Sequence, residues 1–110
     1  MSEAINQILA QLRQFRDDRE WAQFHNAKDL ALALSIEAAE LNEQFLWKQA
    51  DQANPDQVQE ELADVLLYAF QLADLYGWDI PQLMRQKMAR NAEKYPADKA
   101  RGNATKHTEL

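Results

Sequence analysis

Four carboxylates stand out in this chain because of where they fall, two on each of two apolar segments. On a helical wheel of about 100° per residue, Leu34 and Leu41 lie within about 40° of Leu30, and Glu37 lies about 20° to its other side. Glu37 is therefore inside the stripe that Leu30, Leu34, Leu41 and Phe45 draw, and Glu40 is at its edge. Asp64 is embedded between Leu62 and Phe70, the most apolar run of the sequence, and Glu61, Asp64, Tyr68 and Leu75 share one side of that helix. An ionised carboxylate among apolar neighbours is costly unless it meets a buried base, takes a proton or binds a metal ion. No basic residue lies between Leu62 and Phe70. Four convergent acids with few counter-charges suit a hard, oxygen-ligated cation, and Mg²⁺ in particular keeps waters and accepts phosphate oxygens as further ligands. Residues three apart on a helix are neighbours, so each pair can grip one ion. Acids at this spacing are also common on solvated faces, the reading given to Glu43 and Glu60. Position alone leaves the metal and the ordinary explanations evenly balanced.

The elements that must position these acids are helices. The chain has only two glycines and three prolines to interrupt it. Ser2 is placed to cap a first helix that carries Ile5, Ile8, Leu9, Leu12 and Phe15 at helical spacing and runs to about Arg19. Residues 20–26 form a connection, and a second helix spans about 28–48. After a polar linker at 49–54, Asn54 and Pro55 start a third helix that ends at Tyr76 before Gly77. Asp79 caps a fourth helix, with Pro81 in its first turn, running to about Lys94 and stopped by Pro96. The expectation is an all-α, four-helix-bundle type of fold over residues 1–96, with the second and third helices as an antiparallel hairpin. Residues 97–110 read as a polar tail that orders on binding and closes over the site. The third helix is apolar on nearly every side, which one short partner helix cannot cover, so a homo-oligomer is expected.

Composition narrows the partners. At 110 residues the chain has the size of one ordinary domain. Its net charge of −6 argues against polymeric nucleic acid, which is bound largely through Lys and Arg on phosphates. A free nucleotide differs, because a bound divalent cation supplies the positive charge. There is no cysteine, which excludes disulfides and thiolate chemistry and fits a cytoplasmic location. The first six residues lack a basic start with an apolar run behind it, so no secretory leader is expected. No apolar stretch approaches the length of a membrane span, and no membrane partner is expected.

At the acids the text becomes recognisable. The arrangement Glu37-x-x-Glu40, a spacer, then Glu61-x-x-Asp64 resembles the metal motif of the MazG-like, all-α nucleoside triphosphate pyrophosphohydrolases. The surrounding stretches at 19–25 (REWAQFH), 33–48, 60–73 and 87–96 are similar to the single-domain branch that includes the dCTP pyrophosphatases. The first pair lacks the doubled leading Glu common in the wider family, with Ile36 there instead. The resemblance implies Mg²⁺-dependent cleavage between the α- and β-phosphates of a nucleoside triphosphate, with Mn²⁺ as a possible substitute ion. Glu37, Glu40, Glu61 and Asp64 would be the ligands, and Glu37 or Glu40 the catalytic base. It implies substrate contacts at His25, Trp47, Tyr68, Lys87, Asn91 and Lys94, and a homodimer or homotetramer. Trp21 is open between core and pocket wall.

Other chemistries lack their residues. Gly77 and Gly102 cannot form a phosphate-binding glycine loop, and His25 and His107 show no zinc spacing. The alternative is a non-catalytic acidic module, for helical dimerisation or nucleotide sensing. It gives no reason to keep four acids within apolar faces.

Overall fold

The computed structural model describes residues 1–104 and 108; His107 and most of the end of the expected tail lie outside them. Among the described residues there are helices and turns and no strand. The long helices are α1 (Glu3–Asp18), α2 (Ala27–Glu43), α3 (Pro55–Tyr76) and α4 (Ile80–Lys94), followed by the single-turn α5 (Ala97–Ala100). Two compact units divide the chain, Met1–Trp78 and Asp79–Leu110.

In the first unit each long helix starts where a side chain accepts an orphan backbone N–H. Ser2 does this for Ile5, Asn26 for Asp29 and Asn54 for Asp56. Helix α1 ends in a Schellman turn: Glu20 is left-handed at φ 56°, Trp21 N–H donates to Arg16 C=O and Glu20 N–H to Asp17 C=O. This reversal carries Trp21 back onto Phe15, with ring centroids 5.9 Å apart and edge to face. Helix α3 ends at Gly77, whose φ of 71° is disfavoured for a side chain with a Cβ.

Helix α2 stops at Glu43, five residues before the expected Lys48. Its end tightens instead into short-range turns, with Gln44 N–H on Leu41 C=O and Phe45 N–H on Asn42 C=O. The turns finish at Trp47, left-handed at φ 61°.

Helices α2 and α3 form the hairpin, as expected. Its antiparallel sense follows from which residues meet: Leu30 lines a small cavity with Gln71, Asp74 and Leu75, Glu37 meets Glu61 and Asp64, and Phe45 shares a groove with Val58 and Leu62. Helix α1 packs on α3, closed by the Arg13 guanidinium on the Asp74 carboxylate, with Nε to Oδ2 at 2.9 Å. Leu9, Leu30 and Ala73 are the buried apolar residues of this unit. Leu32 and Ile36 on α2, and Leu62 and Leu66 on α3, are exposed.

The second unit holds α4, whose N-cap Asp79 accepts from Gln82 N–H, and α5. The first residues of the expected tail thus form one helical turn. No helix among the described residues is long and apolar enough to cross a membrane.

Candidate functional site

The hairpin register sets Glu37 opposite Glu61 and Asp64 near the middle of α2 and α3. One carboxylate oxygen from each of these three residues lies within 4.8 Å of the others. Glu37 and Glu61 are half-buried, and Asp64 is at the exposed side. Glu37 Oε2 and Glu61 Oε2 are sealed from solvent and have no hydrogen-bond partner among the described residues. A buried oxygen without a donor costs about 1–3 kcal/mol, more when charged, so two in one cluster of acids favour a bound cation.

The electrostatics agree. Burial first, then the carboxyls of Glu40, Asp64 and Glu61, push the Glu37 carboxyl from its ordinary 4.5 up to about 7. Glu61 is raised by burial, then by Glu40 and Asp64. Glu40 stands outside the oxygen trio, yet its charge acts on both Glu37 and Glu61, which places it alongside. A divalent cation would give both orphan oxygens a partner and cancel the mutual repulsion, so the residues present fit such an ion.

Asp64 also opens onto a cavity of about 160 Å³ within the first unit. Phe15, Trp21, Leu67 and Tyr68 supply its apolar walls, and Arg16, His25 and Gln71 its remaining polar groups. Arg19 stacks its guanidinium 3.5 Å from the Phe15 ring centroid and donates to Phe15 C=O, fixing that wall from outside. Burial, then the positive charge of Arg16, lower the His25 imidazole below its ordinary 6.5, so it is neutral at pH 7.

Of the residues singled out by sequence, Glu37, Glu61 and Asp64 meet, with Glu40 beside them, and His25 and Tyr68 line the cavity that Asp64 opens into. Trp21, left open above, is a wall of that cavity. Trp47 is not: its side chain is 99% exposed, because the early end of α2 turns it away from the helix. Lys87, Asn91 and Lys94 follow one face of α4, all exposed, in the second unit. Phe15, Arg16 and Gln71 were not anticipated. The wheel that flagged Glu37 would have found Arg16, which lies about 20° from Leu9 on the buried stripe of α1.

Comparison with known proteins places this geometry among relatives. A solved structure of a pyrophosphatase from Archaeoglobus fulgidus superposes with a TM-score of 0.80 at 37% identity, covering 87% of this chain and 95% of its own. The dCTP pyrophosphatase 1 proteins of Mus musculus and Homo sapiens are each 40% identical over 88% of this chain. The chain matches 62% of the length of those two relatives. The MazG-like family model matches residues 32–110, a span that includes all four acids. Sequence motif, hairpin and structural likeness converge, and the chain belongs to the MazG-like family.

Proposed function

We propose that this protein is a divalent-metal-dependent nucleoside triphosphate pyrophosphohydrolase that cleaves a deoxynucleoside triphosphate, dCTP or a modified relative, to the monophosphate and pyrophosphate. The observation that carries this reading is the pair of orphan oxygens, Glu37 Oε2 and Glu61 Oε2, within a trio of carboxylates at the mouth of an aromatic cavity. The names of the relatives, dCTP pyrophosphatase and pyrophosphatase, support the same reaction class.

Glu37, Glu40, Glu61 and Asp64 would hold Mg²⁺, or Mn²⁺ in its place. The ion supplies charge neutralisation for the triphosphate and a lowered pKa for bound water. The chain's own residues do the rest. Trp21, Phe15 and Tyr68 offer flat faces to a base and exclude water around it. Asp64, shared by the acid cluster and the cavity, sets the polyphosphate end of the substrate next to the acids. Water attacks Pα, the bond from Pα to the bridging oxygen breaks and pyrophosphate leaves; or water attacks Pβ, the bond from that oxygen to Pβ breaks and the monophosphate leaves. Glu40, outside the oxygen trio, is assigned the proton of that water. On resemblance alone, Trp47, Lys87, Asn91 and Lys94 are further substrate contacts. The exposed Leu32, Ile36, Leu62 and Leu66 support association of copies into a dimer or tetramer.

The test is a panel of standard and modified nucleoside triphosphates with Mg²⁺ or Mn²⁺, assayed for the first phosphate product. Pyrophosphate is expected; orthophosphate as first product refutes the cleavage point. Absence of any hydrolysis with either metal refutes the enzyme.

A further inference from the structure

On α1, Leu9 is buried, Leu12 half-buried, and Arg16 follows them on the same face. Its neighbour Arg13 commits its guanidinium to Asp74 through both Nε and Nη2. Arg16 commits only Nε, to Asp17 Oδ1 at 2.8 Å, and its Nη groups have no partner among the described residues. These donors are open to solvent beside the cavity, so a ligand with acceptors can take them without breaking a bond within the chain.

Position says which part of a ligand. Arg16, His25 and Gln71 line both the aromatic cavity and a smaller one of about 20 Å³, so they form the wall between the two. Gln71 is seven residues beyond Asp64, about 10 Å along the axis of α3. The acids therefore mark one end of the cavity, Arg16 the other, and the aromatic rings the space between. With polyphosphate at the acids, the far end receives the edge of the base.

We infer that Arg16 is a specificity-determining residue whose guanidinium reads the adjacent O2 and N3 acceptors of a cytosine base. The inference rests on the functional reading above. A guanidinium presents parallel donors and no acceptor, which matches two neighbouring acceptors. Uracil and thymine carry a donor at N3, and adenine has no keto oxygen. Gln71 Nε2 is occupied by Leu67 C=O at 3.2 Å, leaving Oε1 to accept from the cytosine amino group.

The test compares the unaltered chain, Arg16→Ala and Arg16→Lys. Binding of dCMP, dUMP and dAMP is measured by calorimetry in EDTA, beside kcat/KM for the three triphosphates with Mg²⁺. A preference for dCMP that falls about tenfold or more in both variants, with dAMP binding little changed, is expected. Equal losses for all three nucleotides would make Arg16 a phosphate contact and overturn the inference. So would an unaltered preference, or no preference for dCMP in the unaltered chain. Absence of turnover in the unaltered chain, beside a dCMP preference that both variants lose, would instead refute the functional reading, because the binding arm needs no metal and no chemistry.

Discussion

Removing the charge of Glu37 reverses a pH dependence that the acid cluster imposes on folding. The Glu37 carboxyl sits at about 7 in the folded chain against an ordinary 4.5. The folded state therefore holds this proton more tightly than the unfolded state. Below pH 4.5 the group is protonated in both and costs nothing. As pH rises from 4.5 to 7 the unfolded chain ionises first, and folding loses stability at up to about 1.4 kcal/mol per pH unit. Above pH 7 the loss is complete. Between pH 5 and 7.5 the metal-free protein should lose about 2 kcal/mol from this residue. His25 works the other way, since its lowered pKa makes folding more favourable as pH rises toward 6.5, with no further gain well above it. The comparison must therefore be between the unaltered chain and Glu37→Gln, in which His25 is common to both.

The assay is urea unfolding in EDTA at pH 5 and 7.5, repeated with saturating Mg²⁺. In EDTA the stability of Glu37→Gln relative to the unaltered chain should rise by about 2 kcal/mol between the two pH values, about 10 °C in Tm for a domain of this size. With Mg²⁺ the order at pH 7.5 should invert, because the ion stabilises only the complete cluster. An unchanged difference between the two proteins across that pH range refutes the electrostatic account. A Glu37→Gln protein that gains as much from Mg²⁺ as the unaltered chain refutes the metal site.

Three further outcomes are expected. In differential scanning fluorimetry at pH 7.5, Mg²⁺ should raise Tm of the unaltered chain but not of Glu61→Ala or Asp64→Ala, since each removes one oxygen of the trio. Arg13→Ala should cost about 1 kcal/mol in urea unfolding, less at high salt, because the Arg13 side chain is 48% exposed in its pairing with Asp74; a loss unaffected by salt would show that packing, not charge, holds α1 to α3. Trp47→Gly should stabilise the chain by about 1 kcal/mol, because glycine tolerates the left-handed backbone that Trp47 adopts at φ 61°; destabilisation would instead mean that this ring is packed against another copy.

The acids were readable because two separate signals coincide at them. A charge on an apolar stripe is improbable without a partner, and the helix period makes that stripe visible in one dimension. The caps at Ser2, Asn54 and Asp79 were equally visible, each a short polar side chain just ahead of a helical pattern. The end of α2 was not. Nothing between Asn42 and Lys48 is a glycine or proline, and the tightened turns depend on Trp47 accepting a backbone normally left to glycine.

The cavity wall was hidden for a similar reason. Glu20 takes the left-handed position of the Schellman turn where glycine would have announced it. That turn decides that Trp21 faces Phe15, and with it that Arg16, one turn earlier, borders a ligand-sized space. Arg16 itself obeys the rule that revealed Glu37, a charge on a buried stripe. A lone arginine drew no notice because its long stem commonly carries the charge out to water. The structure adds what the sequence lacks: Nε is tied to Asp17, the side chain is 30% exposed, and the residue lines both cavities. Charges on apolar stripes therefore mark both the acid cluster and the far wall of the cavity beside it, the two places to which the proposals assign phosphate with metal and the base.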